Sequence, residues 1–255
     1  MPFRPVSPEK LSTAVVRQVE ELILRGVLQP GVRLPSEREL SERLGVSRPS
    51  LRDAIAQLQE AGLLSAKAGA GVFVADALRS AFSPALAALF SRHDEATMDY
   101  LTFRRDMEGL AAERAARLGS DTDLAVIGAI FEKMARAQDT ATAEEEAALD
   151  AQFHMAIIEA SHNVVMLHMM RSMYELLRGG VFYNRQVMFK QQTKRAVLLA
   201  QHRAIHDALM ARDAPAARAA VEAHLTYVER ALLDQQRAAR HESVAQQRLD
   251  QENTG

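Results

Sequence analysis

The stretch from Leu34 to Gly62, LPSERELSERLGVSRPSLRDAIAQLQEAG, constrains the fold of this chain more than any other. Ser36 followed three residues later by Glu39 is a capping-box pattern, so a helix should begin there and carry Leu40 and Leu44. Gly45 can turn left-handed and end it. Ser47 can cap a second helix with Pro49 in its first turn, where a missing N–H removes no ladder bond. Leu51, Ile55 and Leu58 recur at helical spacing, and Gly62 closes the element. Two short helices joined by a tight Gly-bearing turn make a helix-turn-helix. The second helix opens with Arg48, Ser50 and Arg52, hydrogen-bond donors at the end that such motifs insert in the major groove.

The flanks extend the motif. A helix is predicted over Leu11–Leu28, with Val15, Val19, Leu22 and Ile23 on one face, followed by a Pro30-Gly31 turn. After Gly62, the runs Leu63–Lys67 and Val72–Val74 enclose Gly69 and Gly71 and read as a hairpin. Helix, helix-turn-helix and hairpin together predict a winged module over residues 11–76, behind a proline-rich arm at 1–10. The wing tip can approach a phosphate closely at Gly69 and Gly71, with Lys67 supplying charge.

Net charge argues against a general polyanion binder. The formal value is −2, and residues 1–76 hold ten Lys/Arg against nine Asp/Glu. DNA binding therefore has to rest on placement, with Arg33, Arg38, Arg43, Arg48 and Arg52 crowded into one short stretch. The absence of Cys excludes disulfides and thiolate chemistry. No apolar run approaches the roughly 20 residues of a membrane span, and the first residues lack a signal-peptide core, which predicts a cytoplasmic protein without membrane association.

Beyond a linker at 77–85 the pattern is helical. Helices are expected over Asp94–Leu118, after Ser120, from a Thr142/Glu145 capping box to Ser161, over Asn163–Arg178, over Thr193–Arg212 and from Pro215. The fold class is thus mainly α: an N-terminal winged helix-turn-helix followed by an all-helical bundle over residues 86–235, with a polar tail at 236–255 expected to fray.

All eight histidines lie at or after His93, so imidazole chemistry belongs to the helical part. Asp150 and His154, four apart, share a helix face; His202 and His224 fall beside core positions of the last two helices. Three imidazoles and a carboxylate are a fitting donor set for Zn²⁺ or another late first-row divalent ion. Each histidine alone reads equally well as a hydrogen-bonded packing residue. His206, four after His202, could pair with it on a metal or be solvated. Arg104 and Arg105 sit among apolar neighbours; Arg104 could pair with Glu108 at i+4 or present its fork to an anion. Tyr183 and Asn184, beside Gly179-Gly180, could line a pocket but better suit a turn.

These residues carry a resemblance. The run from Leu28-x-Pro30-Gly31 through LPSERELSERLGVSRPSLRDAIAQLQEAGLL to Gly69-x-Gly71-x-Phe73-Val74 resembles the GntR-type bacterial transcription regulators. Arg104 with Glu108, Asp150-x-x-x-His154, and QHRAIHDALMARDAPAARAAVEAHL resemble the helical effector domain of the FadR subfamily, of the metal-binding FCD kind. The resemblance implies that Asp150, His154, His202 and His224 hold a divalent metal (Zn, with Ni or Mn as alternatives) and that His206 is a spectator. It implies a small carboxylic acid effector such as lactate, glycolate or pyruvate reaching the metal and Arg104. On DNA it implies contacts from Arg38, Arg48, Ser50, Arg52, Lys67 and Gly69. A homodimeric repressor on double-stranded operator DNA with a pseudo-palindrome is the expectation, since one winged module spans only a few base pairs. A regulator answering to metal alone, and a metallo-hydrolase fused to a DNA-binding domain, are the rival readings.

Overall fold

A computed structural model describes residues 10–76, 81–138, 140–178 and 192–252. Tyr183, Asn184 and the glycines before them lie outside the described residues. The chain divides into two compact units, one comprising residues up to Phe82 with Leu167–Glu175, the other Ser83–Met166 with the residues from Leu176 onward.

The first unit opens with α1 (Leu11–Leu24), shorter than expected because the chain turns at Arg25 and Gly26. Helix α2 (Glu37–Leu44) starts where Ser36 Oγ accepts from the backbone N–H of Glu39. Only that half of the expected capping box forms: the Glu39 carboxylate pairs instead with Arg43, 2.6 Å away at i+4. Gly45 closes the helix at φ 65°, and Val46 N–H donates to Ser41 O. Helix α3 (Arg48–Glu60) is capped by Ser47, with Pro49 in its first turn. Strands β1 (Leu64–Lys67) and β2 (Gly71–Val74) pair antiparallel, Leu64 opposite Val74 and Lys67 opposite Gly71. Arg33 bridges Phe73 on the open side of β2, which fastens the loop before α2 to the wing. Val15, Val19 and Ile23 from α1 meet Leu51, Ala54 and Leu58 from α3, closed by Leu34, Leu64 and Val74.

The second unit is built from α4 (Pro84–Phe90), α5 (Asp94–Leu118), α6 (Asp121–Ala137), α7 (Ala143–Ala160), the ends of α8 (Val164–Arg178), α9 (Gln192–Met210) and α10 (Ala214–Glu252). Both caps expected here form in full: Ser120 with Asp123, and Thr142 with Glu145. Helix α5 faces α7, α9 and α10 through Ala112, Ala115 and Ala116, small enough for the helices to approach closely around Phe131, Phe153, Ile157, Ile205 and Val221. The polar tail does not fray as expected. It continues α10 as an exposed helix to Glu252, consistent with its Ala, Arg, Gln and Glu content, all good helix formers.

Candidate metal centre and nucleic-acid interface

Helix α7 carries Asp150 and His154 one turn apart on its buried face; α9 contributes His202 and α10 His224. All four are at most 3% exposed. One donor atom from each lies within 4.8 Å of all the others. His202 Nε2 is 3.0 Å from Asp150 Oδ1 and 3.4 Å from His154 Nε2. The rings of His154 and His224 stack at 5.1 Å, and Phe153 closes one side, edge-on to His202 at 5.4 Å.

Outer partners fix two of the imidazoles. His154 Nδ1 faces Glu108 Oε2, from α5, at an ion-pair distance of 2.7 Å. His224 Nδ1 donates to Gln201 Oε1 at 2.9 Å, from α9. With Nδ1 protonated in each ring, the Nε2 atoms offer lone pairs to the cluster. Converging lone pairs beside the Asp150 carboxylate repel one another unless a cation sits among them, so the donors present fit a divalent metal. Glu108 in turn accepts from Arg104 Nε at 2.7 Å, both side chains being at most 2% exposed. Burial alone would push the Glu108 carboxyl up, but Arg104 and His154 hold it well below the usual range. Burial likewise pulls His154 down, and the carboxylates of Glu108 and Asp150 outweigh it, so the imidazole is raised above its ordinary 6.5. His224 is held well below that value by burial and by the neighbouring His202 and His154, which keeps it neutral and ready to ligate.

A small half-open cavity, part of it facing solvent, reaches His202 between α6, α7 and α9. Its wall is apolar at Met134, Leu149 and Leu199 and polar at Gln138, Glu146 and Arg195. Arg195 Nε lies 3.2 Å from Glu146 Oε2. Arg104, the arginine singled out in the sequence, does not line this cavity; it is 1% exposed and forms the ion pair with Glu108 that was one of its two readings. His206 is apart from the four donors, stacked 4.5 Å from Phe131 and bonded to Asp207. Sequence reasoning weighed Glu108 only as a partner of Arg104, and missed Gln201 and Arg195 altogether. For Gln201 the one available signal was its place directly before His202.

On the winged unit, Arg38, Arg48, Arg52, Lys67 and Gly69 are exposed, and Ser50 is half-buried at the start of α3. Several of these groups already have local partners. Arg52 Nε is 2.8 Å from Glu37, Arg38 is 3.2 Å from Glu42, and the Ser50 and Ser47 hydroxyls are 2.9 Å apart. Lys67 lies over the Phe73 ring at 4.8 Å. At Gly69 (φ 68°) the space a side chain would take is open.

A winged helix-turn-helix followed by a helical domain with four buried side chains that could hold a metal points to a class: DNA-binding regulators with a second, helical domain. The profile "Bacterial regulatory proteins, gntR family" matches residues 11–74, and "FCD domain" matches residues 99–227. The chain is 36% identical over 228 residues to an Escherichia coli (strain K12) protein named for regulation of the L-lactate dehydrogenase operon, covering 88% of this chain and 86% of that one. It is 34% identical over 223 residues to the Glc operon transcriptional activator of the same organism, covering 86% and 88%. Among solved structures, Streptococcus agalactiae GntR has the same fold, with a TM-score of 0.56 at 23% identity, over 86% of this chain and 99% of that one. The chain belongs to the gntR family, in the branch with an FCD domain. It is a DNA-binding transcriptional regulator and not an enzyme, which removes the metallo-hydrolase reading. No helix among the described residues is long and apolar enough to cross a membrane.

Proposed function

We propose that this regulator is a homodimeric repressor whose operator binding is controlled by a small carboxylic acid held at a divalent metal in the helical domain. The observation that carries the reading is the buried convergence of Asp150, His154, His202 and His224, with two imidazoles already turned by Glu108 and Gln201. Those four residues would hold the ion, with Zn²⁺ the best match to an N₃O donor set and Ni²⁺ or Mn²⁺ as alternatives. A bound ion supplies a Lewis-acid seat for a 2-hydroxy or 2-oxo acid such as lactate, glycolate or pyruvate. The cavity beside His202 gives such an acid a route, with Arg195 at its wall. Arg104 is the cation assigned to the ligand carboxylate, one ion pair removed from His154. Relatives named for the L-lactate dehydrogenase and Glc operons support this choice of acids.

On DNA, Arg48 and Arg52 are assigned to base edges, with Ser50 beside them, and Arg38, Lys67 and the Gly69 backbone to phosphates. Two winged modules related by a two-fold axis would read a pseudo-palindrome with half-sites about one helical turn apart. The acid shifts operator affinity because it binds the two dimer arrangements unequally. Metal analysis of protein purified without chelator, followed by calorimetry with the three acids and an operator-binding assay with and without them, tests the reading. One ion per chain, heat from at least one acid and release of DNA are expected. Tighter DNA binding with the acid would make the protein an activator, as one relative's name has it. Response to metal alone would make the ion itself the effector.

A further inference from the structure

The segment before α2 pairs with the open edge of β2. Leu34 N–H donates to Val72 O and Val74 N–H donates to Val32 O, each at 2.9 Å. Arg33 is thereby set opposite Phe73, as Phe73 is opposite Ser65 and Gly71 opposite Lys67. Residues opposite one another in such a ladder point to the same face, and alternate residues along a strand share it. Leu34, Leu64 and Val74 take the other face and are buried in the core. Arg33, Ser65, Lys67, Gly71 and Phe73 therefore share the outer face of the wing.

We propose that Arg33 is a phosphate ligand of this regulator: with Lys67 it makes the outer face of the wing a seat for the backbone of duplex DNA, and Gly71 leaves the space in which its guanidinium rests. The proposal rests on the reading given above, in which Lys67 and Gly69 meet phosphates. A side chain at Gly71 would put its first carbon 3.1 Å from Arg33 Nε and 3.4 Å from Nη2, tighter than ordinary contact. Gly71 also has φ 106°, which other residues rarely adopt. The arginine is thus laid along bare β2 backbone, on the face where Lys67 lies over Phe73 at 4.8 Å. Its freedom sets it apart from its neighbours in the chain. Arg38, Arg43 and Arg52 each have a carboxylate within 3.2 Å. Arg33 is exposed and its side chain has no carboxylate or other hydrogen-bond partner among the described residues. Asp76 borders the patch, 3.9 Å from Lys67, but both are exposed and salt screens such a pair. An uncommitted guanidinium already lying against backbone gives up no partner on binding, and its planar fork matches two oxygens of one phosphodiester. A contact of that kind adds affinity without reading sequence.

The test uses the full chain and a mixed-sequence duplex of about 30 base pairs, with binding read by fluorescence anisotropy over a KCl series. Each lost phosphate contact lowers the slope of log K against log salt by about 0.9. Arg33→Gln should lower it by that amount and weaken binding about fivefold to tenfold at about 0.1 M salt. Arg33→Lys keeps the charge and should hold the wild-type slope. Arg33→Gln/Lys67→Ala should lower the slope by about 1.8. Gly71→Ala retains every charge; it should weaken the wild type about threefold more than it weakens Arg33→Gln, where the seat has no guanidinium to hold. If Arg33→Gln does not fold, Arg33→Met keeps the stem against β2 and carries the same expectation. An arginine that only packs on the wing would shift the urea midpoint in Arg33→Gln and leave the salt slope alone. That result overturns the proposal, as does a lowered slope in Arg33→Lys. Equal losses from Gly71→Ala in both backgrounds overturn the role of Gly71. A wild-type slope in Lys67→Ala beside a lowered one in Arg33→Gln overturns the assignment of Lys67 instead.

Discussion

Replacing His224 is the cleanest way to ask whether the buried donors hold a metal. Asp150 carries charge and His154 balances Glu108, so altering either disturbs the metal-free protein. His224 is neutral there already, because burial and its two neighbouring imidazoles depress its basicity. His224→Gln keeps polarity and most of the volume, and should leave the metal-free melting temperature within a few degrees of wild type. The effect on the loaded form is large. A metal present at 1,000 times its dissociation constant stabilises the native state by about 4.1 kcal/mol. For a domain of this size that is roughly 8–16 °C in Tm. Structural zinc sites yield about 10–16 kcal/mol over four ligands, so one donor is worth on the order of 3–4 kcal/mol, or about 400-fold in affinity. At the same free metal the variant would retain only ~0.7 kcal/mol, a shift of about 1–3 °C. Differential scanning fluorimetry with buffered Zn²⁺ measures both arms. A full wild-type shift in His224→Gln would remove this imidazole from the ligand set and refute the reasoning.

Four further outcomes follow from the same structure. Metal-free stability should be greatest near pH 6.5: the contribution of His154, raised in the fold, is present below that value and lost as pH rises through its folded value, while depressed His224 costs stability as pH falls below 6.5. Because an ion must displace the His154 proton, the metal-induced Tm shift should grow between pH 6 and 8; a shift that shrinks over that range contradicts it. Arg52→Ala should cost about 1–3 kcal/mol on the operator and relax preference at one base position, whereas Lys67→Ala should weaken all duplexes alike and lower the salt slope by about 1, as read by fluorescence anisotropy over a salt series. The ion pair of Arg52 with Glu37 is exposed and will not hold the arginine back from DNA. Leu51→Ala, at a fully buried α3 position, should destabilise the winged unit by about 2–5 kcal/mol in urea denaturation, and a loss below about 1 kcal/mol would mean the core of α1 and α3 is not packed as described.

How much of this could be read from the chain depends on how local the cause is. Ser47, Ser120 and Thr142 cap their helices as expected because donor and acceptor lie three residues apart and stereochemistry alone brings them together. Glu39 shows the limit of that reasoning: its carboxylate had two local partners in reach, the Ser36 N–H behind and Arg43 ahead, and the charged one won. The four donors were legible for a different reason. Asp150 and His154 share a face by spacing, and His202 and His224 fall beside apolar residues, so each could be placed on the inner side of its helix without knowing the packing. What spacing could not supply is orientation. Glu108 belongs to a helix 46 residues before His154, and its second oxygen meets that ring only because the alanines of α5 let it sit close to α7. Gln201 faces His224 for the same non-local reason. The residues that turn a set of imidazoles into a candidate site are therefore set by helix packing, which brings together side chains that no spacing along the chain relates.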